Sequence, residues 1–202
     1  MEPSTNSANT ADAPCPHCGC LMWFDAQQVR VSELVEETKL QIRQWKNRFT
    51  ELSQSATDSD AYYHEMLTGV IQALAAKGGA VWTRERGRMQ LQIKVGIGSE
   101  TIDDRPIFRP SHLSLLTNAI TAARSAVVQP SGHGPSLRGN SNPTEFLLVL
   151  APIKRKAKAI ALIEIFQRTG SSISVQRGYL RFLEQVCEIA GNSAVVDDGK
   201  TE

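Results

Sequence analysis

Apolar residues recur along this chain with two different periods, and the changes of period mark out its elements. From Val31 the period is helical: Val31, Val35, Thr38, Ile42, Trp45, Phe49 and Leu52 are spaced alternately four and three apart, a heptad seam over about three repeats. Charged and amide side chains (Glu33, Glu36, Glu37, Lys39, Gln41, Arg43, Lys46, Arg48) fill the other faces. The seam suits either one amphipathic helix packed on a neighbouring domain or a dimeric coiled coil, with Trp45 and Phe49 bulky for a narrow two-stranded seam. Its polar run-out, Ser53 to Asp60, reads as a hinge. A second helix after Asp60 carries Tyr63, Met66, Leu67, Val70, Ile71 and Leu74 on one stripe, and Gly78-Gly79 is expected to terminate it.

Beyond the glycines the period drops to two. Ala80 to Arg84, a turn around Gly87, and Met89 to Val95 predict a β-hairpin, with clear alternation in MQLQIKV. Gly96, Gly98, Pro106 and Pro110 mark a long crossing loop. Ser111 is placed to cap a helix bearing Leu113, Leu116, Ile120 and Ala123. Ala126 to Gln129 reads as a short strand, and Pro130 to Pro143 as an irregular Gly/Ser/Asn/Pro-rich loop. Then come two apolar runs, Phe146 to Ile153 and Ala159 to Phe166, around the basic cluster Lys154, Arg155, Lys156 and Lys158. Runs this short, rich in Val, Ile, Leu and Phe, predict strands buried on both faces, joined by a charged turn and covered by helices. A last helix turns Tyr179, Phe182, Leu183, Val186, Cys187 and Ala190 inward. The ends, Met1 to Pro14 and the tail from Asp197, are polar and expected to be disordered.

Composition narrows the classes. The chain has 202 residues, 41% hydrophobic and 21% charged, enough for one domain with its own core plus accessory sequence. A net charge of +1 offers no broad basic field for phosphates, so no nucleic-acid partner is expected. No apolar run approaches the roughly 20 residues that cross a bilayer, and no secretory leader pattern opens the chain; a cytoplasmic protein without a membrane span is expected. Three of the four cysteines fall at Cys15, Cys18 and Cys20, a clustering suited to a metal site or reduced thiols rather than a disulfide framework.

The candidate chemistry is sparse. In CPHCG, the C-x-x-C spacing of Cys15 and Cys18 lets two thiolates chelate one tetrahedral zinc, with Gly19 easing the turn. His17 and Cys20 are the further candidate ligands. One short loop rarely arranges four donors, and no second pair follows, so zinc binding, a degenerate knuckle and a redox pair all stay open, as does a site shared between two chains. Glu164 interrupts an apolar strand on the face of Leu162 and Phe166. A carboxylate buried there without a partner would cost several kcal/mol, so pairing with an Arg or Lys of an adjacent element is the ordinary expectation. His112, His133, Ser131 and Ser136 form no hydrolase pattern, for no G-x-S-x-G elbow exists; cap and loop roles account for them. Gly96-Ile97-Gly98 lacks the rest of a dinucleotide fingerprint. The Lys154 to Lys158 cluster could touch acidic lipid or RNA, although a solvated turn protecting the sheet edge explains it as well.

Taken in order (helix, strand, strand, loop, helix, strand, long loop, strand, strand, helix), with GGAVWTRERGRMQLQIKVGI, APIKRKAKAIALIEIFQR and YLRFLEQVCEIAG, the chain resembles the GAF domain, a sensor module related to the PAS fold. The resemblance covers roughly Asp58 to Gly191, and its motifs are an ordered set rather than a catalytic signature. It is also similar to GAF-like segments of planctomycete-type bacterial proteins, where they precede a haemolysin-D-like secretion module. The resemblance implies an α+β, GAF/PAS-like fold: a central antiparallel sheet of about six strands, helices on both faces, and a long N-terminal helix. The expected domains are 1–28 (tail and knuckle), 29–57 (coiled-coil helix and hinge), 58–196 (GAF-like domain) and 197–202 (tail). It also implies a non-catalytic regulatory module that binds a small molecule or dimerises, with Glu164 as a ligand contact in the pocket and a separate output or secretion-system protein as partner. A covalent chromophore is not expected, since no cysteine lies between Cys20 and Cys187, and the NKFDE signature of cyclic-nucleotide binders is missing. The alternatives are a dimerisation scaffold with a zinc-binding knuckle and, as an enzyme, a thiol-dependent methionine-sulfoxide reductase.

Overall fold

The computed structural model describes residues 26–97, 110–130 and 142–196, with side chains from Glu36 onward. The Cys15–Cys20 knuckle with His17, His133, Ser131, Ser136, the seam positions Val31 and Val35 as side chains, and both predicted tails lie outside the described residues. Two compact units divide the chain, Met1–Gln41 and Ile42–Glu202.

Four helices and five strands are present among the described residues: α1 (Ala26–Ser55), α2 (Ser59–Ala73), β1 (Gly78–Glu85), β2 (Arg88–Val95), α3 (Pro110–Ala122), β3 (Ala126–Val128), β4 (Leu147–Arg155), β5 (Lys158–Gln167) and α4 (Ile173–Gly191). The strands form one antiparallel sheet in the order β2-β1-β5-β4-β3, five strands where about six were expected. The two apolar runs lie side by side near its middle, Leu147 opposite Gln167 and Ile153 opposite Ala161, as the sequence required. Pro152 is tolerated inside β4 because β3 is only three residues long and pairs no further than Leu150.

Period-two alternation separates two apolar layers. Odd-numbered positions of β4 and β5 (Val149, Ala151, Ile153, Ala161, Ile163, Ile165) meet α1, α2 and α4 through Phe49, Met66, Leu67, Val70, Leu183 and Val186. Even-numbered positions (Leu148, Leu150, Leu162, Phe166), with Ala80 and Trp82, meet Leu115, Leu116 and Ile120 of α3. Within the second unit the end of α1 belongs to the core. Phe49 is buried, stacked on Trp45 and edge-on to Phe182. For Trp45 to Leu52 the seam is therefore an intrachain contact, while every position from Glu36 to Gln44 is exposed.

The hinge is the short break at 56–58, where the Asp58 side chain accepts from the Ala61 N–H and caps α2. The helix ends earlier than the glycines suggested. α2 stops at Ala73, and Ala75 takes the left-handed turn at φ 47°. Gly78 and Gly79 instead open β1. A Cβ on Gly79 would stand 2.8 Å from Leu67 and 2.9 Å from Ile165, so the glycine serves close helix–sheet packing. α3 likewise starts one residue before the expected Ser111 cap, at Pro110, whose fixed φ suits a first helical position.

Candidate functional site

Glu164 does interrupt the β5 core on the face predicted, and it is completely buried. Its partners differ from the expected Arg or Lys. The indole Nε1–H of Trp82, on the adjacent strand β1, donates to Oε2 at 2.8 Å. Nε2 of His112, in the first turn of α3, stands 2.7 Å from Oε1. The His112 ring is itself fully buried and meets the Trp82 ring edge-on, centroids 6.2 Å apart. His112 is thus neither a cap nor a loop residue.

Each side chain is set by a different element. Trp82 follows a register shift in the β1–β2 pairing between Val81 and Trp82, at a bulge of the kind that re-aims side chains. Glu164 lies opposite Ala80 on β1 and Leu150 on β4, so the carboxylate enters the α3 layer from the middle of the sheet. Helical phase does the rest: His112, Leu115, Leu116 and Ile120 share the inward face of α3. The chemistry is a buried hydrogen-bond network inside an otherwise apolar layer of Leu116, Leu148, Leu150, Leu162 and Phe166. Its mechanical effect is to tie the start of α3 to the sheet.

Among the described residues no group of His, Cys, Asp and Glu is arranged to hold a metal. The described cysteine, Cys187, lies on the opposite side of the sheet, its thiol donating to the Ala151 carbonyl at 3.5 Å. Burial, reinforced by the charge of Glu184, pushes that thiol well above its ordinary range, which suppresses the nucleophilic thiolate.

No family model matches the chain, and no curated protein is similar to it. Solved structures are. The A. aeolicus nlh2 GAF domain in an inactive state superposes with a TM-score of 0.60 at 15% identity, covering 76% of this chain and 95% of that one. The fold is that of a GAF domain. A GAF domain from an Acinetobacter phosphoenolpyruvate-protein phosphotransferase gives 0.52 at 13% identity over 86% of this chain and 94% of its own. The free methionine-R-sulfoxide reductase of Neisseria meningitidis, solved with its substrate, gives 0.57 at 12% identity over 77% and 89%. At such identities the likeness is one of fold, and the same architecture occurs in GAF domains and in a reductase.

Proposed function

We propose that this chain is a non-catalytic, cytoplasmic regulatory module in which the GAF fold responds to a small molecule at the α3 side of the sheet. The observation that carries the reading is the Glu164–His112–Trp82 network: an ionisable tie in an apolar layer, joining the sheet to the first turn of the one described helix on that face. Buried polar groups of this kind are well suited to define two discrete states. A ligand carrying its own hydrogen-bond donor would replace His112 on the Glu164 carboxylate, free the start of α3, and favour the rearranged state by its differential affinity. The signal would pass to a separate output protein through α1, whose last turns are built into the opposite layer by Phe49 and Leu52.

A thermal-shift screen of small metabolites on the full-length chain tests this, read against Glu164→Gln. The expected result is a compound that raises the melting temperature of the native protein and leaves the variant unmoved. A screen in which nothing binds, or a ligand that stabilises both equally, counts against the reading.

A second reading is a dimerisation scaffold whose knuckle of Cys15, Cys18, Cys20 and His17 holds zinc. The filling of the α3 layer by Trp82, Phe166 and five leucines, all buried, favours it. So do Leu40 and Ile42, 51% and 39% exposed on α1. Solution mass with zinc analysis separates the two: a metal-bearing homodimer that no metabolite perturbs supports the scaffold. The reductase reading requires catalytic thiols from the Cys15–Cys20 cluster, because Cys187 is on the wrong face. Sulfoxide reduction lost in Cys18→Ser would revive it.

A further inference from the structure

Both hairpins end at the same end of the sheet, and both tips are cationic. The β1–β2 tip reads RERGR (Arg84 to Arg88) and the β4–β5 tip KRKAK (Lys154 to Lys158). In the register of the adjoining strands β1 and β5, Thr83 lies opposite Ala161. The Arg86–Gly87 turn begins three residues past Thr83, and the Lys156–Ala157 turn ends four residues before Ala161. The tips are level to about one residue, roughly 3 Å. Arg84, Arg86, Arg88, Lys154, Lys156 and Lys158 are all exposed, and none forms an ion pair with another described residue. Arg155 is different: its guanidinium turns back onto the Gly191 and Ser193 carbonyls at the end of α4.

Backbone conformation adds an independent observation. A two-residue turn of this hand needs left-handed residues, and Gly, Asn or Asp adopt them with least strain. Here the first turn position is a cation in both hairpins, Arg86 at φ 46° and Lys156 at φ 48°, and Ala157 follows at 69°. Solubility alone would be served by a cation one position away, on relaxed backbone. The two turns instead hold a long cationic side chain at each apex despite the strain.

We propose that this level, basic end of the sheet is a docking surface for an anionic lipid bilayer. The two tips stand side by side and level, which matches a planar anionic surface. The two tips hold no aromatic side chain on which single-stranded bases could stack. The exposed apolar residues of α4, Ile173 and Val175, lie at its opposite terminus, away from Gly191 and Lys154. Contact is therefore electrostatic and peripheral, and salt reverses it. The surface is separate from the Glu164 network, which lies six residues further along β5 from Lys158, roughly 20 Å.

The test is co-sedimentation of the full-length protein with phosphatidylcholine vesicles, with and without phosphatidylserine, at low and high salt. Binding is expected only to the anionic vesicles and is expected to be lost in high salt. Arg86→Asn combined with Lys156→Asn is expected to weaken partitioning by about 25-fold, at about five-fold per cation, while the melting temperature holds or rises because Asn relaxes both turns. Removing two cations at the other end of the sheet (Lys77→Gln with Arg168→Gln) is expected to leave partitioning unchanged. Failure to distinguish the two vesicle types, an equal loss in that control, or tighter capture by duplex DNA or polyglutamate at matched charge would each overturn the proposal.

Discussion

At the scale of single residues the decisive feature is a completely buried glutamate held by Trp82 and His112 in an apolar layer. Removing one partner of a buried polar pair costs about 1–3 kcal/mol or more, because the other is left unsatisfied. His112→Ala is accordingly expected to lower unfolding stability by that amount in urea titrations, and Trp82→Phe by about 1–3 kcal/mol through loss of one donor. Burial also sets a pH dependence. Desolvation raises the Cys187 thiol and the Tyr62 phenol above their ordinary values of 9.0 and 10.0. Both are acids kept protonated in the fold, so the unfolded chain releases protons first as pH rises. The contribution of Cys187 is complete below about pH 9 and that of Tyr62 below about pH 10, and each is lost above that point with a slope of about 1.4 kcal/mol per pH unit. Urea midpoints measured from pH 8 to 11 should fall accordingly, and Cys187→Ala should remove one proton's share of that slope.

At the scale of elements, packing at one crossing fixes how much of α1 belongs to the fold. A Cβ on Gly69 of α2 would stand 2.8 Å from the Phe49 ring and 3.2 Å from Trp45. Gly69→Ala must push apart two stiff aromatics and is expected to destabilise by about 1–3 kcal/mol, whereas Phe49→Ala, which opens a cavity, should cost about 3–5 kcal/mol. A chain starting at Ile42 should keep one cooperative melting transition, and a chain starting after Phe49 should lose it; circular dichroism on heating distinguishes them. The strands were legible in the sequence because Phe146–Ile153 and Ala159–Phe166 are too apolar and too short for anything else. The end of α2 was not. Gly78-Gly79 looks like a helix stop, but the need there is for a missing side chain against Leu67 and Ile165, a requirement created by residues far away in sequence.

At the scale of the whole molecule the same division holds. Element order and alternating burial made the GAF fold readable, since they are local properties. The candidate site was only half readable. Glu164 announced itself as a carboxylate in an apolar run, but its partners are 52 and 82 residues distant, and nothing near His112 encodes which part of the sheet α3 will cover. From sequence alone His112 fits a cap or loop role for that reason. Leaving the expected sixth strand aside, what the fold adds is a division of labour. Among the described residues one sheet face is closed by α1, α2 and α4, and the other by α3, which packs Leu115, Leu116 and Ile120 on it and is tied to it by the His112–Glu164 and Arg84–Thr121 contacts. That asymmetry makes α3 the element predicted to move.

The indole Nε1–H resonance of Trp82, assigned by its loss in Trp82→Phe, tests this most directly. In the nitrogen-15-labelled full-length protein it should exchange with solvent only as slowly as the core opens, and it should shift or broaden when a stabilising small molecule binds. An indole proton that exchanges as fast as an exposed one, or one that stays unmoved while a ligand binds, would contradict the account.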